Sequence, residues 1–342
     1  MMELTLGAPA KVNLSLRIVG RKANGYHELD MLMAPTDLCD TVKIRITKHG
    51  GADIRVTCSD QRMQGSNNIA YKAAAAILQY TGRRISGTDI NINIGKSIPV
   101  GAGLGGGSAD AAAVIVGLNK LLDLKLSKGQ LIEIGHGIGS DVPFCIEAVL
   151  NENNESSCDS GSSVADKGFV ARVGGTGEQI HDISMKKFKA LFVNPGFEVN
   201  TGSVYKKYDE LGLVGSSSDV VDKMEKALAN NEIFSLDEYF INDLTTPAFH
   251  AYPRLEEARD EIIAAMKKSF ISSTSNIGTR DETITAGCKT NTEGFVHMVG
   301  SGATFMIFLN ENIEKERALC SIKETLSGCD DYNFKVVPVT VG

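Results

Sequence analysis

No apolar run in the 342 residues approaches membrane-spanning length, and the first 20 residues carry no signal-peptide pattern. No Cys-x-x-Cys pair occurs, and the seven cysteines (Cys39, Cys58, Cys145, Cys158, Cys288, Cys320, Cys329) are odd in number. That combination argues against a disulfide framework or a zinc site and for reduced thiols; the expectation is a bacterial-type cytoplasm with no membrane partner. A basic excess is also missing: the net charge is −7 without a strong basic cluster, which excludes a nucleic-acid partner. The six histidines are scattered, with no His-Glu-x-x-His. Position 110 is Asp, so no Gly-x-Ser-x-Gly elbow surrounds Ser108, and the triplets His-Arg-Asp and Asp-Phe-Gly of protein kinases are absent.

What the chain has in abundance is glycine in one place. Pro99-Val-Gly101-Ala-Gly103-Leu104-Gly105-Gly106-Gly107-Ser108-Ala packs five glycines into seven positions ahead of an alanine-rich helical run. Such a loop lets successive N–H groups converge, and the helix behind it adds unpaired N–H groups and the positive end of its dipole. The pair forms a phosphate cradle. Gly101-x-Gly103-x-x-Gly106 fits a dinucleotide fingerprint, but the preceding strand alternates with polar residues and no acid stands at a strand end about 20 positions on. Gly95-Lys96-Ser97 resembles a P-loop tail, yet Ile90 stands where its first glycine is required.

A chain of this length and ordinary composition is expected to form two globular domains. Val12–Ile18 alternates apolar residues with Asn13, Ser15 and Arg17; one face is apolar and the other carries Lys11, Asn13 and Ser15. Further strands are expected at Val42–Ile46, Ile54–Cys58, Ile90–Ile94, Ala190–Asn194, Phe305–Leu309 and Phe334–Val341. Helices are expected at Asn68–Tyr80, Ser108–Leu122 with Ser108 as N-cap, Leu131–Ile138, Pro253–Lys268 and Ile313–Leu326. Asn151–Ser163 and Ser272–Gly294 read as polar surface insertions. The mixture lacks strict strand–helix alternation and predicts an α+β fold without internal repeats.

Three local features could carry chemistry. Asp141, in Gly139-Ser-Asp-Val-Pro143, is either a carboxylate aimed into a cleft, fit to take a proton, or a turn residue bonding its own backbone. Lys11 is either a solvated edge lysine or a cation that holds Asp141 ionised and polarises an acceptor hydroxyl. Tyr26-His27 is either structural or a stacking surface with a hydrogen-bonding edge for a nucleobase.

The pattern Pro99…Gly103-Leu-Gly105…Ser108-Ala109 resembles the second motif of the GHMP small-molecule kinases. Ala8-Pro-Ala-Lys11-Val-Asn13-Leu resembles their first motif and Gly300-Ser-Gly-Ala303 their third. Gly25-Tyr-His-Glu-Leu29 is similar to the members whose acceptor carries a cytidine diphosphate. Leu118-Asn119, Asn194-Pro-Gly196 with Thr201, and Asn242-Asp-Leu244 extend the likeness through most of the chain.

The resemblance implies a two-lobed fold, with an ATP-binding N-terminal domain at 1–165, a C-terminal domain at 166–342 and the active site between them. It implies transfer of the ATP γ-phosphate, carried with Mg²⁺, to the 2-hydroxyl of 4-diphosphocytidyl-2-C-methyl-D-erythritol in the non-mevalonate route to isoprenoids. By position, Asp141 is then the base and Lys11 its electrostatic partner. Tyr26 and Tyr205 sandwich the cytosine, His27 bonds its edge, and Asn13 and Thr201 contact the acceptor. Pro99, Gly101 and Gly103–Ser108 wrap the phosphates, while Asn68, Lys96 and Ser97 lie near the adenosine. The protein would act as a monomer or weak homodimer. Position 205 is Tyr where many relatives have Phe, and Ala109 replaces a frequent second serine. Two other readings are a family kinase for another small alcohol and a catalytically silent nucleotide-binding protein. Tyr26-His27 weighs against the former; the presence of both Lys11 and Asp141 weighs against the latter.

Overall fold

The computed structural model describes residues 1–48, 51, 53–83, 87–155, 167–215, 217–230, 237–271, 294–309 and 315–342. In chain order its elements are β1 (Met2–Arg21), β2 (His27–Lys48), β3 (Ile54–Cys58), α1 (Ile69–Tyr80), β4 (Thr88–Gly95), α2 (Gly106–Leu121), α3 (Lys128–His136) and α4 (Val142–Glu155). There follow β5 (Lys167–Gly175), β6 (Gln179–Lys186), β7 (Phe188–Asn194), α5 (Thr201–Glu210), α6 (Asp219–Ala229), α7 (Thr245–Ala251), α8 (Pro253–Ile271), β8 (Gly294–Met298), β9 (Phe305–Leu309), α9 (Lys315–Leu326) and β10 (Lys335–Val341).

Strands β1 to β6 form one sheet around the long β1–β2 hairpin. Strands β8-β9-β7-β10 form a second, antiparallel one. The two meet where Val341 of β10 pairs with Thr36 of β2. Pairing between strands is antiparallel except for β3 with β4. This is the expected α+β architecture. The β5–β6 hairpin lies beyond residue 165 but pairs with β2.

The sheet strands form because apolar residues recur at every second position. Ile44 and Ile46 of β2 and Ile90, Ile92 and Ile94 of β4 are all buried on the helical side. Each such side chain stabilises the fold by roughly 1.5–3 kcal/mol. The small residues of α2 let it lie close on this surface: Ala109, Ala111, Ala112 and Ala113 are fully buried, and a Cβ at Gly117 would stand 2.5 Å from Ile44 Cδ1. Helices α1, α3 and α4 cover the remaining sides of α2, so it is a central helix with no solvent stripe.

The extents of β1 and β2 and one cap differ from expectation, and Lys11 is not the solvated edge lysine that was one of its two readings. The polar face of β1 is not solvated: Lys11, Asn13 and Ser15 are all buried. Register shifts between Pro9 and Lys11 and between Asn13 and Ser15 bracket this segment. Bulges of this kind re-aim side chains, here those of Lys11 and Asn13 into the cleft. The elements β1 and β2 run far beyond the segments read from alternation, since both extend through these irregularities. Ser108 is not the N-cap of α2. Gly105, at φ 68°, starts the helix earlier and leaves Ser108 as its third residue. Helix α4 occupies the start of the polar stretch at 151–155; the remainder of both expected insertions, 156–163 and 272–293, lies outside the described residues.

Candidate active site

The loop from Pro99 to Gly105 is shaped by its glycines. Gly101, Gly103 and Gly105 have φ of 64°, 78° and 68°. At Gly103 even a methyl group would collide: its Cβ would stand 2.5 Å from Val299 O and 2.7 Å from Gly302 O. The loop is pinned by backbone bonds to three distant segments, Lys11 N–H to Leu104 O (3.0 Å), Val199 N–H to Gly101 O (2.9 Å) and Thr304 N–H to Ala102 O (3.2 Å). The N–H groups of Gly106, Gly107 and Ser108 open α2 and have no intrahelical acceptor.

This helix end opens into a cavity of about 830 Å³. Pro99, Gly101 and Gly103–Ser108 line one side of it. Lys11, Asn13 and Asp141 line the middle. Lys11 packs beside Gly105 and Asp141 lies near Tyr205, so Tyr26, His27 and Tyr205 form the far end; Thr201 lines the cavity beside the Gly300–Gly302 loop, which abuts Gly103. Lys11 Nζ is 3.4 Å from Asp141 Oδ2 and donates to Asn13 Oδ1 at 2.8 Å. The Lys11 side chain is almost fully enclosed, while Asp141, immediately ahead of α4, is one-third exposed. Asn13 is held from behind: its backbone oxygen accepts a bond from His297 Nε2 at 3.0 Å. Burial holds the His297 imidazole down at about 4, so it is neutral at physiological pH.

At the far end, His27 Nε2 donates to Asp209 Oδ1 at 2.9 Å, and Arg21 reaches the same carboxylate at 3.3 Å. The His27 ring lies on Tyr205 (centroids 5.0 Å apart, 25° between planes) with Tyr208 against its edge. One face of Tyr205 is therefore covered by His27, not left for a second ring, a departure from the simple sandwich. Burial, then the nearby Asp141 carboxylate, pushes the Tyr205 phenol up, so it stays protonated. Tyr26 is 61 % exposed at the cavity mouth. Thr201, the first residue of α5, bonds Ser301 Oγ through Oγ1 at 2.8 Å, which ties α5 to the Gly300–Gly302 loop.

The three residues expected near the adenosine differ in their surroundings. Lys96 borders the cavity, but its ammonium is engaged by the buried carboxylates of Asp40 and Asp110, the latter at 2.8 Å. Burial raises the Asp110 carboxyl to about 7. Ser97 faces a second cavity of about 460 Å³ on the other side of the loop, and its N–H donates to Asp40 Oδ1. Asn68 lines neither: it is buried as the N-cap of α1, accepting from Ala70 N–H at 2.8 Å and donating to Met63 O. Sequence reading missed Asp209, Thr176 and the carboxylates of Asp40 and Asp110 around Lys96, and gave Ser301 only as part of a motif. Asp209 carried a signal, since it lies four residues after Tyr205 and so shares its helix face.

Residues 68–148 match the family described as GHMP kinases N terminal domain. The chain is 36 % identical over 278 residues to the 4-diphosphocytidyl-2-C-methyl-D-erythritol kinase of Geobacter sp. (strain M21), covering 80 % of this chain and 87 % of that one. It is 37 % identical over 268 residues to the enzyme of the same name from Geobacter metallireducens, covering 78 % and 84 %. Among solved structures, a 4-(cytidine 5'-diphospho)-2C-methyl-D-erythritol kinase superposes with a TM-score of 0.67 at 27 % identity, over 100 % of this chain and 99 % of that one. The L. major mevalonate kinase shares the fold (TM-score 0.62, 13 % identity, 99 % and 95 % covered). The chain belongs to the 4-diphosphocytidyl-2-C-methyl-D-erythritol kinase family, within the GHMP kinases.

Proposed function

We propose that the cleft moves the γ-phosphoryl group of ATP to the 2-hydroxyl of 4-diphosphocytidyl-2-C-methyl-D-erythritol, a step of the non-mevalonate route to isoprenoids. The observation that carries this reading is the single cavity in which Lys11 and Asp141, 3.4 Å apart, stand between the phosphate loop and the Tyr26–His27–Tyr205 cluster. Phosphoryl transfer asks the protein chiefly for positioning and charge stabilisation. The triphosphate lies along Gly103–Ser108, where the free N–H groups of α2 and its dipole meet the negative oxygens. Asp141 accepts the acceptor's hydroxyl proton as the new P–O bond forms and the bond to ADP breaks. Lys11 orients the Asp141 carboxylate and meets charge developing on the transferred group. Its bond to Asn13 fixes the ammonium in place.

With Nε2–H of His27 given to Asp209, the neutral imidazole leaves Nδ1 as an acceptor, the partner that a cytosine amino group requires. The base stacks on the faces of Tyr26 and Tyr205 that His27 leaves open. Thr201 and Ser301 close the acceptor side. Lys96 and Ser97 flank the loop toward the adenosine, and Asn68 supports that wall as a helix cap. Mg²⁺ enters with ATP: among the described residues no group of three or more His, Cys, Asp or Glu could hold a metal by itself, and Ser108 offers a hydroxyl beside the phosphates. In this reading residues 1–165 are the ATP-binding domain and 166–342 the C-terminal one, with β5–β6 returning to the first sheet. The enzyme works in the cytoplasm as a monomer or weak homodimer. Among the described residues no helix is long and apolar enough to cross a membrane.

The test is coupled ADP release with 4-diphosphocytidyl-2-C-methyl-D-erythritol against mevalonate, homoserine and galactose. Turnover with the cytidylated alcohol alone is the expected result. Preference for any of the other three would overturn the acceptor assignment.

A further inference from the structure

Asp141 reaches into the cleft with Lys11 as its ion-pair partner, so its placement depends on the backbone beneath it. That backbone is a short turn closed by Gly139 N–H to Gly135 O and Val142 N–H to Gly139 O, both 3.1 Å. Behind it lies a second turn, Gly175–Glu178, which joins β5 to β6. Gly177 is buried at φ 108°. A Cβ there would fall on the Ser140 carbonyl oxygen and stand 2.8 Å from its carbon and 3.1 Å from Ser140 Cα. The backbone of one turn thus rests directly on the residue that precedes Asp141.

The supporting turn is braced on its other side. Glu178 Oε2 accepts from Thr176 N–H (2.7 Å) and Thr176 Oγ1 (2.8 Å), Lys22 Nζ approaches Oε1 at 3.4 Å, and Gly177 N–H donates to Gly174 O at 3.1 Å. Burial opposes the Glu178 charge, but its own N–H, the two Thr176 bonds and Lys22 outweigh it and hold the carboxyl at about 2. Gly175 pairs with Leu29, two residues beyond His27 on β2. The turn therefore connects the strand that carries the base-reading residue to the bend that carries the carboxylate.

We infer that the Gly175–Glu178 turn is a positioning element for phosphoryl transfer, with the side-chain-free Gly177 as the backstop that sets where the Asp141 carboxylate stands. The inference rests on the reading of Asp141 as proton acceptor. A misplacement of about 1 Å at such a group costs on the order of 10²-fold in rate. The methyl group of Gly177→Ala would force the Ser140 carbonyl aside by a shift of that order.

The experiment is steady-state kinetics of Gly177→Ala, Glu178→Gln and Gly82→Ala, each in the wild-type and the Asp141→Asn backgrounds. Gly82 also has positive φ (62°) but open space around it, so Gly82→Ala puts an alanine at positive φ, under milder strain than at 108°, without the contact. Gly177→Ala is expected to lower kcat by about 10- to 100-fold with little change in KM for ATP. Glu178→Gln is expected to lower it several-fold and Gly82→Ala not at all. In the Asp141→Asn background the losses at 177 and 178 should vanish, because they act through the missing carboxylate. Wild-type kcat in Gly177→Ala, or an equal loss in both backgrounds, overturns the inference and leaves the Asp141 assignment standing. Wild-type turnover by Asp141→Asn overturns the assignment and the inference together. Should Gly177→Ala fail to fold, Glu178→Gln decides alone: a loss confined to the Asp141 background supports the inference, and wild-type kcat overturns it.

Discussion

The two ends of the cleft are built from different material. The end proposed for the phosphates is backbone: glycines at positive φ, carbonyls accepting from Lys11, Val199 and Thr304, and the open N–H groups of α2. The end proposed for the acceptor is side chains: Tyr26 and His27 from the β1–β2 turn, Tyr205 and Asp209 from α5. A triphosphate looks the same in every nucleotide, and N–H groups suffice to bind it. A particular alcohol must be told apart from others, and that takes shaped rings and directed polar groups. Substitution at the first end should therefore destroy; substitution at the second should retune.

The largest effect that would sharpen this contrast is at Gly103. Gly103→Ala places a methyl group against the Val299 and Gly302 carbonyls at a φ that side chains rarely adopt. Relief of a strain of roughly 1–3 kcal/mol displaces the loop's N–H groups, and ATP affinity by isothermal calorimetry is expected to fall about 10- to 100-fold; unchanged affinity would break the contrast. The second is the support behind Asn13. His297 takes a proton at about pH 4 folded but near 6.5 unfolded. Between those values the unfolded chain binds more protons, so stability falls as pH falls, by up to about 1.4 kcal/mol per unit. Denaturant titrations at pH 7 and pH 5 should show this slope in the wild type, and His297→Gln should lack its share of it.

Smaller effects belong to the acceptor end. Tyr205→Ala is expected to weaken CDP binding about 10-fold, the scale of one base stacked on an aromatic ring, while ATP affinity holds. Asp209→Asn should narrow the preference for CDP over UDP, because the amide can let His27 turn its donor toward the base; an unaltered ratio would show that Asp209 does not set the tautomer. The smallest is Asn68→Ala, which removes a cap worth about 1 kcal/mol and should lower the melting temperature without changing KM for ATP.

The same contrast explains what could be read from the chain. The phosphate loop is contiguous, so its glycines and the helix behind it were visible as a string. Strand β3 was bounded to the residue because its alternation is clean, and β9 because it is a short, wholly apolar run. The roles of Lys11, Asp141, Tyr26 and His27 stayed open until family resemblance was added, because nothing local shows that positions 11 and 141 meet. Helix α4 was missed because Pro143 read as the end of a turn, whereas proline fits the first turn of a helix equally well. The β5–β6 hairpin was missed although Gly174-Gly-Thr-Gly177 sits between alternating runs. The partners of Lys96 and Asn68, namely Asp40, Asp110 and the α1 N-terminus, are tertiary facts that sequence position hides.

The central claim is that a carboxylate across from the phosphate loop takes the acceptor's proton. ADP release by Asp141→Asn, measured beside ATP binding to the same protein, tests it most directly. The expected result is kcat lower by about 10²-fold or more with ATP affinity retained; turnover equal to the wild type would contradict the account.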